Sequence, residues 1–227
     1  MSNYPMRINK YLALKQISTR RGADELIADK KVFINGKLAL LGSKINETDT
    51  VEVRGAKAKE YLYFAYNKLI GVETGSLYPA KRGAENLFPL GRLDKASHGL
   101  LILTNDGRIT ERLLNPKYFH EKEYVVKTSN KLRSNFKQKM EAGVNIEGYI
   151  TKPCKVKIIN DFTFRIVLTE GKKHQIRRMC SALFQEVADL KRERIMNIKL
   201  GSLKPNILRE IKGAELITFL DPILHQS

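Results

Sequence analysis

Residues 91–107 read GRLDKASHGLLILTNDG. One carboxylate, Asp94, lies between Arg92 and Lys95, and the apolar run LLILT follows a few residues later. A short apolar run of this kind is typical of a strand buried in a sheet. The stretch therefore predicts a charged loop at the end of a buried strand, which is a rigid support for a reactive side chain.

The composition predicts a folded protein with a basic surface. Of 227 residues, 41 are Lys or Arg and 24 are Asp or Glu, which gives a formal net charge of +17. Apolar residues make up 42% of the chain, too many for a disordered basic tail. Such a surface favours a polyanionic partner, with nucleic acid first and an anionic membrane second. The length allows one sizeable core or two small ones, and we expect one domain with an appendage.

Several function classes are excluded by missing motifs. The two cysteines, Cys154 and Cys180, form no CxxC pair and have no histidine at ligand spacing, so we expect no metal site and no cofactor. The first residues lack the apolar segment of a signal peptide, and no apolar run approaches the roughly 20 residues of a membrane span. We therefore expect a cytoplasmic protein with reduced thiols and no membrane association.

The first part of the chain predicts a small module of two helices and a hairpin. Apolar residues recur at helical spacing near Ile8–Leu12 and again near Ala23–Ile27, where Ser18 or Thr19 is a candidate helix cap. Asn35-Gly36 separates two short apolar runs, which favours a two-residue hairpin, and DTVEVRG adds a strand. The segment AKAKE at residues 56–60 is typical of a linker, so we place the module in residues 1–58 and a second domain in 59–227.

The second domain predicts an α+β structure. Strand patterns occur in YLYFAYN, LLILT and HEKEYVVKT, and CKVKIINDFTFRIVL indicates two strands about an Asn160-Asp161 turn. Helical patterns cover about Gly107–Leu114, Leu132–Ala142 and residues 173–184. Strands with interleaved helices, behind a small helical module, give the α+β class.

The basic residues of the N-terminal module have two interpretations. Taken alone, they are a solvated basic face. However, the segment MRINKYLALKQISTRRGADELIADKKVFINGK resembles the S4 RNA-binding module through Arg7, Lys10, Leu12, Arg20 or Arg21, Ala23, Ile27 and Asn35-Gly36. That resemblance implies RNA contacts from Arg7, Lys10, Arg20, Arg21, Lys31 and Lys37.

The segment at residues 91–107 resembles the central motif of the pseudouridine synthases, in the branch that includes the RsuA, RluB, RluE and RluF enzymes. NKLIG at 67–71, HEKEYVV at 120–126 and EGKKHQIRRMC at 170–180 agree with that family in order, and HEKEY and RERIMN are most similar to its RluF members. The resemblance implies a catalytic domain built on a mixed, largely antiparallel sheet with flanking helices. It also implies a reaction without metal or cofactor, since the uracil base is detached from ribose C1′, turned and rejoined through C5.

The same resemblance assigns roles to individual residues. Asp94 matches the catalytic aspartate, Arg177 the basic residue that pairs with it, and Tyr124 the active-site tyrosine. Arg92 and Arg178 are expected to contact the substrate, and Arg178 is expected to bind the phosphate backbone of the RNA. The other interpretations are a loop aspartate in an ordinary ion pair, a core tyrosine, and phosphate contacts for both Arg177 and Arg178. Attack on C1′, attack on C6 of the base and removal of the C2′ proton all remain open.

Two positions depart from the family pattern. Leu69 stands in NKLIG where proline is usual, and Phe184 stands after RRMC where glycine is common. Neither touches the expected catalytic residues, so we expect these departures to bear on substrate choice.

The predicted function is the isomerisation of a uridine in structured RNA by a monomer that does not act on DNA. Large-subunit ribosomal RNA is the favoured target, and a tRNA anticodon stem-loop is the second. One alternative is an S4-bearing ribosome-assembly factor without catalysis. Another is a glycosylase, which would release free uracil.

Overall fold

The structure, a computed structural model, describes residues 4–15, 17–55, 60–76 and 87–224. Contacts divide the chain into two units, one reaching Tyr61 and including residues 106–108, the other holding the rest. Residues 56–59, most of the predicted linker, lie outside the described residues, so the domain boundary after residue 58 stays a prediction. Within the described ranges, no helix has the length and apolar character to cross a membrane.

The first unit contains the predicted helices and hairpin. Thr19 caps the second helix, since its Oγ1 accepts a hydrogen bond from the Gly22 amide at 2.9 Å. Asn35 and Gly36 both have positive φ, as a two-residue hairpin turn requires. Apolar residues from both helices and from the strands form its core. Its elements are β1 Met6–Arg7, α1 Ile8–Leu14, α2 Arg20–Ala28, β2 Val32–Ile34, β3 Lys37–Leu38, β4 Lys44–Ile45 and β5 Val51–Val53.

The second unit is a mixed sheet with flanking helices, as the sequence predicts. The predicted helix at residues 132–142 is shorter than expected, since it begins at Phe136. Its strands are β6 Tyr63–Lys68, β7 Phe88–Pro89, β8 His98–Thr104, β9 Lys122–Thr128, β10 Asn145–Ile146, β11 Tyr149–Ile150, β12 Lys155–Asn160, β13 Thr163–Leu168, β14 Val187–Ile195, β15 Ile198–Lys199 and β16 Leu208–Glu210. Its helices are α3 Thr110–Leu114, α4 Phe136–Glu141, α5 Gln175–Ala182 and α6 Gly213–Leu224.

The large sheet has nine strands and one parallel pair. Its main path runs β12-β13-β9-β14-β8-β6-β16, with β15 on β14 and β7 on β8. All neighbours are antiparallel except β14 and β8, which meet in parallel through Lys191 opposite His98 and Arg192 opposite Gly99. This parallel pair lies at the end of β8 that follows the Asp94 loop, so it supports that loop.

Gly99 allows the close approach of β14 to β8. Its φ is +100°, and a Cβ at this position would collide with the backbone carbonyl of Arg192. Of the three glycines in residues 91–107, Gly99 is therefore required by the packing of two strands.

The central strand β14 was not predicted from the sequence. Its segment VADLKRERI holds five charged residues, which conceal the strand pattern. In the structure, Arg194 bonds Glu123 on the neighbouring β9 at 2.6 Å, and Arg165 of β13 bonds the same carboxylate at 2.6 Å. The arginines bonded to Glu123 hold its pKa below the usual range, against the opposing effect of burial. Ion pairs between neighbouring strands thus stabilise charged residues within a strand, and the sequence of one strand alone does not reveal these pairs.

Candidate active site

Asp94 lies in a loop that is anchored from three directions. The Thr74 hydroxyl donates to the carbonyl of Leu93 at 2.7 Å and accepts from its amide at 3.1 Å. The amide of Gly71 donates to the carbonyl of Lys95 at 2.8 Å, and Arg177 donates to the carbonyl of Ala96. Each backbone neighbour of Asp94 therefore has a fixed partner, and the carboxylate is presented by a rigid loop.

A cavity of about 620 Å³ opens over this loop. Its walls come from the Asp94 loop, the start of β9, the middle of β14 and the segment that leads into α5. A cavity of this size is in the range that holds a small organic group such as a nucleoside. The residues with polar or aromatic side chains that line it include Arg92, Asp94, Lys122, Tyr124, Glu170, Lys172, Lys173, His174, Gln175 and Arg192.

The predicted ion pair between Arg177 and Asp94 is absent. Both terminal nitrogens of Arg177 are taken by backbone carbonyls, that of Val187 at 3.1 Å and that of Ala96 at 2.8 Å. The basic side chain that does lie beside the carboxylate is His174, whose Nε2 is 3.4 Å from an Asp94 oxygen. Arg177 thus contacts the loop that carries Asp94 and leaves the carboxylate partly exposed, at 37% of its side-chain surface.

Arg192 is a site residue that sequence reasoning missed. It is only 3% exposed, although it lines the cavity. Its Nε donates to the carbonyl of Leu100 at 2.7 Å, while its Nη2 is buried and has no hydrogen-bond partner among the described residues. A buried guanidinium with a free donor is costly unless a ligand supplies an acceptor. Arg192 is the first residue of the segment RERIMN, which resembles the RluF members of the family, but that resemblance assigned it no role.

Burial lowers the pKa of two lysines, Lys122 in the cavity lining and Lys68 in β6. Burial, with a contribution from the charge of Arg192, lowers the pKa of Lys122 to about 8. Burial also lowers the pKa of Lys68, whereas the nearby Asp94 raises it. The Lys68 ammonium donates to the carbonyls of Leu69 and Val72 at 2.8 and 2.6 Å, so it stabilises the segment that directly follows β6.

The other predicted substrate contacts are divided between the cavity and its supports. Tyr124 lines the cavity, and the guanidinium of Arg192 lies 6.0 Å from its ring centre. Arg92 is exposed at the rim. Arg178, which was expected to contact RNA, donates to the carbonyl of Ile146 at 3.1 Å and to Glu147 at 2.7 Å, so it has protein partners and lies outside the cavity lining.

One wall of the cavity is built around the buried carboxylate of Glu170. It accepts hydrogen bonds from the Tyr149 hydroxyl at 2.6 Å, the Gln175 amide at 2.6 Å and the Lys152 backbone at 3.0 Å. Because it accepts all three hydrogen bonds, Glu170 holds α5 against the segment that contains β11 and leads to β12. Asp94 is the less constrained of the two carboxylates that line the cavity.

Some of the basic residues of the first unit share a concave surface. Arg7, Lys10 and Arg20, with Lys44, line a cavity of about 380 Å³. Arg21 and Lys37 are exposed, and Lys31 bonds Asp29 at 2.8 Å. Three of the six predicted RNA contacts are therefore brought together. In the part of the chain that the structure describes, no group of three or more His, Cys, Asp and Glu side chains could hold a metal ion.

Comparison with known proteins gives consistent results across the chain. Residues 66–182 match the RNA pseudouridylate synthase family, and residues 6–51 match the S4 domain. The chain is 38% identical to the dual-specificity RNA pseudouridine synthase RluF of Escherichia coli K12, covering 98% of this chain and 81% of that protein. It is 33% identical to the ribosomal large subunit pseudouridine synthase B of Bacillus subtilis, covering 92% and 93% respectively. A crystal structure of a pseudouridylate synthase matches with a TM-score of 0.70 and 30% identity, over 94% of this chain and 99% of that one.

Proposed function

The chain belongs to the RNA pseudouridylate synthase family and carries an S4 domain, and on that premise we propose that Asp94 is the catalytic residue for one uridine of structured RNA. The observation that carries the proposal is the Asp94 loop itself. Its backbone is held by Thr74, Gly71 and Arg177, while its carboxylate faces a cavity of nucleoside size.

The reaction requires an ionised carboxylate and no other reactant. The bond between ribose C1′ and N1 breaks, the base turns, a bond forms between C1′ and C5, and the C5 proton moves to N1 in the net balance. Attack at C1′, attack at C6 and removal of the C2′ proton each begin from a carboxylate at the sugar or the base.

We propose that the other residues of the cavity bind the target uridine after it has flipped out of the base stack of the RNA. A flipped base needs a flat face and hydrogen-bond partners for its edge. Tyr124 offers the face. The Nη2 of Arg192, which no described residue binds, offers a donor for a uracil or ribose oxygen. Arg92 at the exposed rim is suited to a phosphate contact.

We propose large-subunit ribosomal RNA as the principal target and a tRNA anticodon stem-loop as a second one, acted on by a cytoplasmic monomer that does not use DNA. The B. subtilis relative is named for the large ribosomal subunit, and the E. coli relative is named as dual-specific. Leu69 and Phe184, both exposed, are proposed to influence the choice between targets.

The test is to map pseudouridine across cellular RNA with and without this protein, and to measure free uracil from the purified reaction. We expect at least one uridine that becomes pseudouridine only when the protein is present, with no uracil released. An unchanged map with altered ribosome assembly would support the non-catalytic alternative. Release of uracil would support a glycosylase.

A further inference from the structure

Phe119 is an exposed aromatic ring in an unusual backbone conformation. The residue is 61% exposed, and its φ is +57°, a left-handed value that bulky residues rarely adopt. The ring does not belong to the buried clusters of the second unit. The packing of the fold therefore does not account for a phenylalanine at this position.

Lysine side chains lie against this ring and against its neighbour. The ammonium of Lys152 lies 4.2 Å from the Phe119 ring centre and donates to the carbonyl of Pro116 at 3.0 Å. The ammonium of Lys117 lies 4.6 Å from the ring of Tyr118. We call Lys117, Tyr118, Phe119 and Lys152 the Phe119 platform.

The platform is joined to the wall of the candidate active site by short links. Leu114 and Lys122, which line the cavity, bracket the segment that holds it. On the other side, the Lys152 backbone donates to the cavity residue Glu170 at 3.0 Å. The platform is therefore held at a fixed position beside the cavity.

The carboxylates near the platform are already engaged. Glu170 has the three donors described above, Glu111 accepts from the Asn115 side chain at 2.7 Å, and Glu121 bonds Arg194 at 2.9 Å. Among the described residues, no carboxylate forms an ion pair with Lys117 or Lys152. A hydrogen bond to Tyr118 and, to a smaller degree, the charge of Glu111 raise the pKa of Lys117, so its ammonium stays charged and can bind an anionic ligand.

We propose that the Phe119 platform binds a nucleotide next to the target uridine, with the nucleobase stacked on the open part of the Phe119 ring and its phosphates near Lys117 and Lys152. This inference rests on the proposed function. When one base leaves its stack, its neighbours lose a stacking partner, and an exposed aromatic side chain can replace it. A ring beside lysines is the combination by which proteins bind single-stranded RNA.

The test uses a short RNA hairpin with one loop uridine, labelled for fluorescence anisotropy, and a set of the same hairpins with 2-aminopurine at each position near that uridine. The variants are Phe119→Ala, Phe119→Asn, which suits a left-handed conformation, and Phe119→Tyr, which keeps the ring. Phe162→Ala, at a turn residue that is 43% exposed, is the matched control.

We expect Phe119→Ala and Phe119→Asn to bind the hairpin about tenfold more weakly, and Phe119→Tyr and Phe162→Ala to bind like the wild type. The wild type should quench 2-aminopurine at one flanking position, and the Ala and Asn variants should lose that quenching. Unchanged affinity and quenching in both ring-less variants would overturn the proposal. These readouts need no turnover, so a wild type that binds but does not isomerise would count against the proposed function alone.

Discussion

Arg177 donates a hydrogen bond of 2.8 Å to the carbonyl of Ala96, two residues beyond Asp94. Its other terminal nitrogen binds the carbonyl of Val187, the first residue of β14, at 3.1 Å. One guanidinium therefore ties helix α5 to both the Asp94 loop and the central strand. Arg177 acts on the carboxylate through the position of the loop.

Arg177→Ala is expected to lower kcat by about 10- to 100-fold, because the loop loses one anchor and small displacements at a reacting centre are costly. The dissociation constant for RNA should change little. Arg178→Ala is the control, since Arg178 binds Ile146 and Glu147 and does not contact the loop. Single-turnover rates and binding curves measure both, and equal losses confined to affinity would assign both arginines to phosphate contact.

Gly99→Ala is expected to lower the free energy of unfolding by about 2–4 kcal/mol, because its Cβ would collide with the Arg192 carbonyl in addition to the strain of positive φ. Gly148→Ala is the control, since Gly148 also has positive φ, +85°, but open space around it. Denaturant unfolding gives the free energy of unfolding of both variants, and the larger loss in Gly99→Ala measures the effect of the collision. Equal losses would mean that β8 and β14 can separate without cost.

Lys122 is expected to give RNA binding a pH dependence. Because its pKa is lowered to about 8, its ammonium loses a proton as the pH rises through that value, and the cavity loses a positive charge. Affinity should therefore fall between about pH 7 and about pH 9. The described cysteines have pKa values raised to about 12 by burial, so they do not titrate in this window.

Lys122→Arg is the control for this prediction, because arginine stays protonated throughout. Binding titrations at several pH values should lose the step near the Lys122 pKa in that variant. A step that persists in Lys122→Arg would assign the pH dependence to another group.

The basic surface of the S4 domain is expected to set the salt dependence of binding. Neutralising Arg7, Lys10 and Arg20 together should make the slope of log affinity against log salt shallower by about 0.7 for each phosphate of single-stranded RNA that the domain no longer binds. The turnover rate at saturating RNA should be unchanged, since these residues lie in the other unit of the chain. Arg54→Gln is the control, because Arg54 already bonds Glu52 at 2.6 Å. An unchanged slope in the triple variant would contradict the anchoring role.

The fold was predicted where local patterns decide structure. Thr19, Asn35 and Gly36 gave the cap and the turn of the first unit, and the apolar run after Asp94 gave β8. The strand β14 was missed because its charged residues have partners that are distant in sequence, such as Glu121 and Glu123 for Arg194, which no local window contains.

The site was predicted in part for a similar reason. Asp94 and Tyr124 belong to recognisable motifs, and both line the cavity. Arg192 became apparent only when the parallel pairing of β14 with β8 brought it to the same cavity, and the partners of Arg177 depend on two backbone carbonyls that sequence does not reveal.

The central claim is that the Asp94 carboxylate performs the isomerisation, and Asp94→Asn tests it most directly. Single-turnover conversion of uridine to pseudouridine should be measured at saturating RNA, beside the RNA dissociation constant and thermal unfolding. Glu73→Gln is the control, because Glu73 is an exposed carboxylate 3.8 Å from Lys95 of the same loop. We expect wild-type folding and affinity in Asp94→Asn with a rate reduced by at least about 1000-fold, and a nearly unchanged rate in Glu73→Gln. Conversion by a folded Asp94→Asn variant at a rate near that of the wild type would contradict a catalytic role for the Asp94 carboxylate.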